Sequence, residues 1–273
     1  SSSGLTQAAA PEEAARGVVQ RLLPDAADQF VLGSIPAEDG HDVFEIESRD
    51  GKIIVRGSSG VAISSGVNWY LKYRCNCHVS FCGDQLRLPD PLPPVEEKVR
   101  RTSPFRYRYC FNYCAFSYTL AFWDWAQWER MIDWMALHGI NMPLSVTGQE
   151  AIWYQVYRDL GLSDEEIRRF LVGPGYLPFG WMGCIDGWGG PLPQTWIESH
   201  RELEQKILAR QRELGMTPVL QGFTGHVPVA MKERFPKAKF QQLPRWCQFP
   251  GTTFLDPMDP MFERVGKAFI EEQ

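Results

Sequence analysis

The sequence has no apolar run approaching the roughly 18 residues that a membrane helix needs, so no such span is expected in its 273 residues. It has no excess of positive charge. Its formal net charge is −5, which argues against nucleic acid or an anionic membrane as partner. No basic-then-apolar leader opens it, and no N-x-[ST] glycosylation acceptor occurs in it. It lacks a Ser/His/Asp motif, an HExxH helix and a phosphate loop. The stretch "GSSGVAISSG" has the glycines of a phosphate loop but neither the Lys-Ser/Thr ending nor the G-x-G-x-x-G spacing. It therefore reads as a strand-to-helix turn.

Zinc-type cysteine spacing is also missing. The seven cysteines are Cys75, Cys77, Cys82, Cys110, Cys114, Cys184 and Cys247, an odd number, so at least one is free or paired outside the chain. Cys75, Cys77, His78 and Cys82 are close in sequence. Cys-x-Cys is a poor match to a zinc knuckle, and no second ligand pair follows. Buried thiols or a local disulfide are the reading here, and no metal or cofactor is expected.

Rings are abundant. Aromatics make up 13% of the chain, with 10 Trp. A Trp face is broad and apolar and carries a single N–H donor. Such faces suit a large core or the C–H faces of sugars.

Residues 12–23 read as an amphipathic helix, followed by strands at 28–35 and 42–58 with Asp50-Gly51 as hairpin turn, and a short strand at 78–81. Between them, Ile63, Val67, Tyr70 and Leu71 have helical spacing. "LPDPLPPVEEKVRRTSP" is rich in proline and charge and reads as an exit linker. Residues 1–103 are thus expected to form a small N-terminal α/β domain.

From 104 the pattern changes. A strand at 105–113 leads into a helix with Trp125, Trp128, Ile132 and Met135 on one face, ended by Gly139. "INMPLSV" is a second strand, although Pro143 is awkward in a central parallel strand. A helix follows at "TGQEAIWYQVYRDLGL", and another at Ser163, whose "SDEE" matches a capping box. Some 25 residues dense in Gly, Pro and Trp come next, a length usually associated with function. Then come a helix from about 198 and a third strand, "MTPVLQGF". Strand alternating with helix predicts a parallel sheet. Polar and aromatic residues just beyond strand ends are where a β/α barrel builds its site. The fold class is α/β: the small domain followed by the first part, about three strands, of a (β/α)8 TIM barrel over 104–273. At the C-terminus, Asp259 caps a helix with Pro260 in its first turn and Phe262, Val265, Phe269 and Ile270 on one face. With no stop signal after it, the chain reads as a fragment of something longer.

The strand-end residues are Asn112 and Cys114 after strand 1, Gln149 and Glu150 after strand 2, and His226 after strand 3. Asp186, Trp188 and Trp246 lie in loops. Each has a plainer reading. Asn112 could bond backbone, Cys114 could be a small buried apolar group, Glu150 could favour its helix N-terminus, and Trp246 could be core. His226 and Asp186 could be structural. From the residues alone the reading stops at an aromatic-lined β/α barrel fragment, for carbohydrate.

"NYCAFSYTLAFWDWAQWERMIDWMALHGIN", "GQEAIWYQVYRDLGL", "GPLPQTW" and "GMTPVLQGFTGHVP" resemble the α-N-acetylglucosaminidases, glycoside hydrolase family 89. "GSSGVAISSGVNWYLKYRCNCHVS" and "QLRLPDPLP" resemble that family's N-terminal domain, and "FCGDQLRLP" resembles a plant member. The resemblance covers about 40–273. It implies retaining hydrolysis of terminal α-linked N-acetylglucosamine from a glycan, of heparan-sulfate type in animals, by two Glu residues and without metal. It implies a lysosomal, vacuolar or secreted protein whose full-length form can oligomerise. Asn112 and Cys114 then fall on the family's N-x-C at strand 1, Trp246 on a ring of the same pocket, His226 on "GHVP", and Gln149 and Glu150 on "SGQEA", with Thr147 replacing the Ser. Phe179 stands where many members have Trp, which removes an N–H donor on the leaving-group side. The catalytic Glu pair is expected beyond Gln273. The alternative is an inactive or sugar-binding truncated product of the same family.

Overall fold

The computed structural model describes residues 10–273, and these divide into two compact units. The first comprises the chain to Cys110, Trp125–Pro143 and Ile207–Val219. Its sheet has four strands in the order Phe30–Ser34, Lys52–Gly57, Val43–Arg49, Val99–Thr102. The first pair is parallel and the other two are antiparallel. Asp50 and Gly51, at φ 51° and 74°, supply the double positive φ of the tight hairpin. Helix Pro11–Leu22 buries one face, and helix Gly60–Tyr73 is buried all round its first turn and on one side beyond it. Phe30, Ile46, Val55, Ile63, Val67 and Tyr70 lie in one apolar cluster with Cys75 and Cys77, so these two are buried thiols. The Gly/Ser stretch is indeed a helix start, since Ser59 Oγ accepts from Ala62 N at 3.0 Å.

The expected exit linker is corrected in its second half, where Val99–Thr102 is the fourth strand. Its charge is paired across the ladder. Arg100 stands opposite Glu45 and bonds it, and Lys98 Nζ lies 2.6 Å from the same carboxylate.

The first unit also holds the expected barrel strands, shorter than the sequence suggests. Tyr109–Cys110 pairs in parallel with Met142–Pro143. Thr217 N donates to Asn141 O at 2.8 Å and Val219 N to Pro143 O at 2.9 Å, a third stretch running the same way. The 105–113 strand stops at Cys110 because Phe111 takes φ 78°. Pro143 is accommodated as an acceptor. Helix Trp125–Leu137 buries Trp128, Ile132 and Met135, while Trp125 is half-buried under the Arg210 guanidinium.

The second unit comprises Phe111–Asp124, Leu144–Lys206 and Leu220–Gln273. Helix Gln149–Asp159 is followed by Asp164–Phe170, where Ser163 and Glu166 complete the capping box. The long loop contains two short helical turns, Pro174–Tyr176 and Leu177–Trp181. Phe240–Gln242 and Thr253–Leu255 form an antiparallel ribbon. Helix Pro260–Glu272 is capped by Asp259, which accepts from Met261 N at 2.9 Å. Val265 and Phe269 are its buried residues, but Ile270 is 71% exposed. Ile270 lies one residue past Phe269 and is turned about 100° off that face, which corrects the expected stripe. Among the described residues, no helix is long and apolar enough to cross a membrane.

Candidate functional site

Three segments of the second unit converge through their rings and thiols. The first runs from Asn112 into the short helix Ala115–Tyr118. Asn112 Oδ1 accepts from Ala115 N at 3.1 Å, which starts that helix and fixes the side chain. Asn112 is exposed and its amide N–H groups remain available. The second segment is the Gly/Pro-rich loop. Phe179 meets Tyr118 edge-on at 6.4 Å, and Trp181 meets Phe116 at 5.9 Å. The third is the turn before Thr253–Leu255, where Trp246 faces Phe179 at 5.4 Å with planes 32° apart. Cys184 ties the same three together, since burial raises its thiol pKa and the Cys114 and Cys247 thiols add to the shift. None of the three forms a disulfide.

The structure therefore brings together Cys114, Phe179 and Trp246, with Asn112 two residues before Cys114 on the same segment. It adds Tyr118 and Cys184, which sequence reasoning missed. Tyr118 is four residues after Cys114, on the same face of a helical turn, and that spacing could have pointed to it. Cys184 closes the "FGWMGC" segment already singled out for Phe179.

His226 is placed differently. It is buried, and both ring nitrogens have acceptors: Gly180 O at 3.1 Å from Nδ1 and Asp186 Oδ1 at 2.5 Å from Nε2. Rings of Phe170, Trp153 and Phe254 surround it. His226 thus anchors the loop that carries Asp186.

Gln149 and Glu150 are buried as well. Trp196 Nε1 donates to Glu150 Oε1 at 2.9 Å, while Glu150 Oε2 and Gln149 Nε2 have no partner. Burial pushes the Glu150 carboxyl up to about 7, against the lowering effect of the backbone and Trp196 bonds. Trp196 in turn stacks on His200 at 3.7 Å and meets Phe122 at 5.8 Å. Among the described residues no group of three or more His, Cys, Asp or Glu is placed to hold a metal ion.

The open cluster can do two things chemically. Its rings can cover apolar ligand faces, and the Asn112 amide can donate to hydroxyl or carbonyl oxygens. Among the described residues it presents no carboxylate pair.

Two sequence families match the chain: the alpha-N-acetylglucosaminidase (NAGLU) N-terminal domain over residues 13–94 and the alpha-N-acetylglucosaminidase (NAGLU) tim-barrel domain over 108–273. The chain is 43% identical over 268 residues to alpha-N-acetylglucosaminidase from Homo sapiens, covering 95% of this chain and 36% of that protein. It resembles the family 89 glycoside hydrolase from Clostridium perfringens solved with PUGNAc, at TM-score 0.92 and 35% identity, covering 96% of this chain and 31% of that one. The same figures hold for that enzyme with 2-acetamido-1,2-dideoxynojirmycin, and for a form with two Glu→Gln substitutions holding its substrate GlcNAc-alpha-1,4-galactose. The chain spans about a third of the length of these relatives.

Proposed function

The chain belongs to the alpha-N-acetylglucosaminidase family, and from that premise we propose that it supplies part of the sugar pocket of a retaining glycoside hydrolase. The substrate is a glycan ending in α-linked N-acetylglucosamine. The observation that carries this reading is the convergence of Asn112, Cys114, Phe179 and Trp246 at one open surface. The Clostridium relative, captured with its α-linked N-acetylglucosamine substrate, supports the choice of ligand. In this reading Trp246 lies against the C–H face of the terminal sugar. The Asn112 amide donates to one of its oxygens, and Cys114 leaves room for the ring.

A retaining reaction needs two carboxyl groups about 5–5.5 Å apart across the anomeric carbon, one as nucleophile and one as acid/base. We place that pair outside this chain. Glu150 is buried against Trp196, and Glu271 and Glu272 are on the exposed end of a helix. The acid of such a pair is tuned by its surroundings. The doubly Glu→Gln-substituted relative supports a Glu pair. We further propose a domain division at 103/104, supported by the separate matches over 13–94 and 108–273. Following its family, the protein works in a lysosome, a vacuole or outside the cell, and its full-length form can oligomerise.

The test is to assay the 273-residue chain against a nitrophenyl α-N-acetylglucosaminide and to titrate it with N-acetylglucosamine. We expect no turnover but specific binding, weakened about tenfold or more by Asn112→Ala, a loss of about 1.4 kcal/mol. Turnover that survives removal of contaminating enzyme would overturn the assignment of the carboxylates. Absence of binding would overturn the pocket.

A further inference from the structure

The Gly/Pro-rich loop is stiffer than its composition suggests. A Cβ on Gly173 would lie 2.2 Å from Gly189 O, and one on Gly187 would lie 2.3 Å from Arg169 O. Glycine is therefore required at both positions, because backbone packs directly on backbone. Three bonds close the structure: Gly173 N to Trp188 O, Tyr176 N to Gly173 O and Gly187 N to Phe170 O, each 2.9 Å. Thr252 Oγ1 and Gln221 Nε2 pin the next turn through Gly183 O at 2.7 Å and Trp181 O at 2.6 Å.

This fixed loop displays rings. Trp188 is 52% exposed and Tyr176 38%. They meet edge-on at 6.4 Å, and Trp188 meets Phe249 at 5.1 Å with planes at 81°. Phe249 then lies nearly parallel to Trp246, at 6.0 Å and 18°. Each ring thus touches the next, and the series reaches the proposed sugar pocket at Trp246. Burying such rings is favourable by about 25 cal/mol for each Å² removed from water. Here they are instead held at the surface by a loop that cannot collapse over them, an arrangement preorganised for a ligand.

We propose that Trp188, Phe249 and Tyr176 form a second aromatic platform, outside the pocket, for the sugars that follow the terminal residue. The ligand class is an oligosaccharide whose pyranose rings present C–H faces in succession. Continuity with Trp246 selects this occupant. The ring series starts where the terminal sugar sits and runs away from it, as a glycan chain does. The proposal rests on reading the Trp246 cluster as the sugar pocket.

The experiment titrates the 273-residue chain with N-acetylglucosamine, then with a disaccharide and a tetrasaccharide that each end in α-linked N-acetylglucosamine. Calorimetry and tryptophan fluorescence give the affinities. We expect the tetrasaccharide to bind about tenfold more tightly than the disaccharide. Trp188→Ala removes that gain and leaves monosaccharide binding unchanged, Trp188→Phe keeps most of it, and Phe249→Ala removes part. Equal affinity for the two glycans, or a gain that survives both Trp188→Ala and Phe249→Ala, overturns the platform. In either case, a weakening of monosaccharide binding by Asn112→Ala leaves the pocket reading standing. If Asn112→Ala has no effect while Trp188→Ala removes tetrasaccharide binding, the platform stands and the pocket reading falls. Failure to bind any of the three glycans removes both.

Discussion

The second unit holds two sets of aromatic rings, one buried and one displayed. Trp153, Tyr157, Phe170 and Phe269 surround buried His226 or one another and are themselves buried. Tyr118, Phe179, Trp246, Phe249 and Trp188 form an equally continuous set, yet Tyr118 is 76% and Trp246 39% exposed. The residue types are the same, so ring content does not separate core from site. What separates them is the element that carries each ring. The buried set stands on helices, with Trp153 and Tyr157 four residues apart, so one helical face delivers both to the core. Of the displayed set, Tyr118 and Phe179 stand on helical turns of four and five residues and Trp188, Trp246 and Phe249 in loops, none of them long enough to turn a continuous apolar face inward.

The largest effect should come from cutting into the buried set. Trp153→Ala should cost about 3–5 kcal/mol, read as a fall in the urea midpoint. Trp153 Nε1 is buried without a partner. Trp153→Phe, which removes that donor and keeps a ring, should therefore cost much less than the alanine change. Equal losses from the two variants would show that the void left by the ring is not the main cost, and would weaken the division between the sets.

Glu150 gives the next largest effect, through pH. Its carboxyl is raised to about 7 in the folded chain and returns to an ordinary value near 4.3 on unfolding. Between these values the folded state holds a proton that the unfolded state has released. Stability therefore falls as pH rises through that window, by about 4 kcal/mol in total. Glu150→Gln keeps an acceptor for Trp196 Nε1 and carries no charge. Denaturation curves at pH 5 and pH 7.5 should diverge for the parent chain and nearly coincide for the variant. A parent curve that does not move across this range would show that the carboxylate is solvated.

How far these features could be read in advance follows the same line between helix and turn. The Ser163 capping box, the Asp259 cap and the Asp50-Gly51 hairpin are local chemistry, and each appears where its residues predict it. Non-local pairing was harder to read. Val99–Thr102 looked like linker because the partner that neutralises Arg100, Glu45, is 55 residues away. The spacing of Phe262, Val265, Phe269 and Ile270 misplaces Ile270, because a face defined by four apolar residues tolerates one that is off by a residue. Of the candidate site, Asn112, Cys114 and Trp246 share one open surface. Gln149, Glu150 and His226 also carry polar groups but are enclosed, and the burial that separates the two sets depends on tertiary packing.

A cap mutation should separate the sets more finely. Ser163→Ala removes the acceptor for Glu166 N and should cost about 1 kcal/mol. The helix it caps delivers Phe170 to the buried set. Hydrogen exchange should therefore speed up along 164–170, while affinity for N-acetylglucosamine stays within about twofold, under about 0.5 kcal/mol. A large loss of sugar affinity would show that the two sets act as one.

The smallest effect on stability should come from the displayed set. Trp246 is at the surface and packs against Phe179 and Phe249, so Trp246→Ala should change the unfolding midpoint by an amount within about 0.5 kcal/mol. In the proposed pocket, however, its face is the ligand's apolar wall, and its removal should weaken N-acetylglucosamine binding about tenfold or more. Trp153→Ala should show the reverse pattern, with a large loss of stability and ligand binding that is retained in whatever fraction remains folded. Trp246→Phe provides the internal control. It keeps a ring plane beside Phe179 and gives up the indole N–H and part of the face, so its affinity should fall between those of the parent and the alanine variant. If Trp246→Ala unfolds the chain and Trp246→Phe restores it, Trp246 belongs to the core, and the exposed rings lose their claim to a ligand at this position.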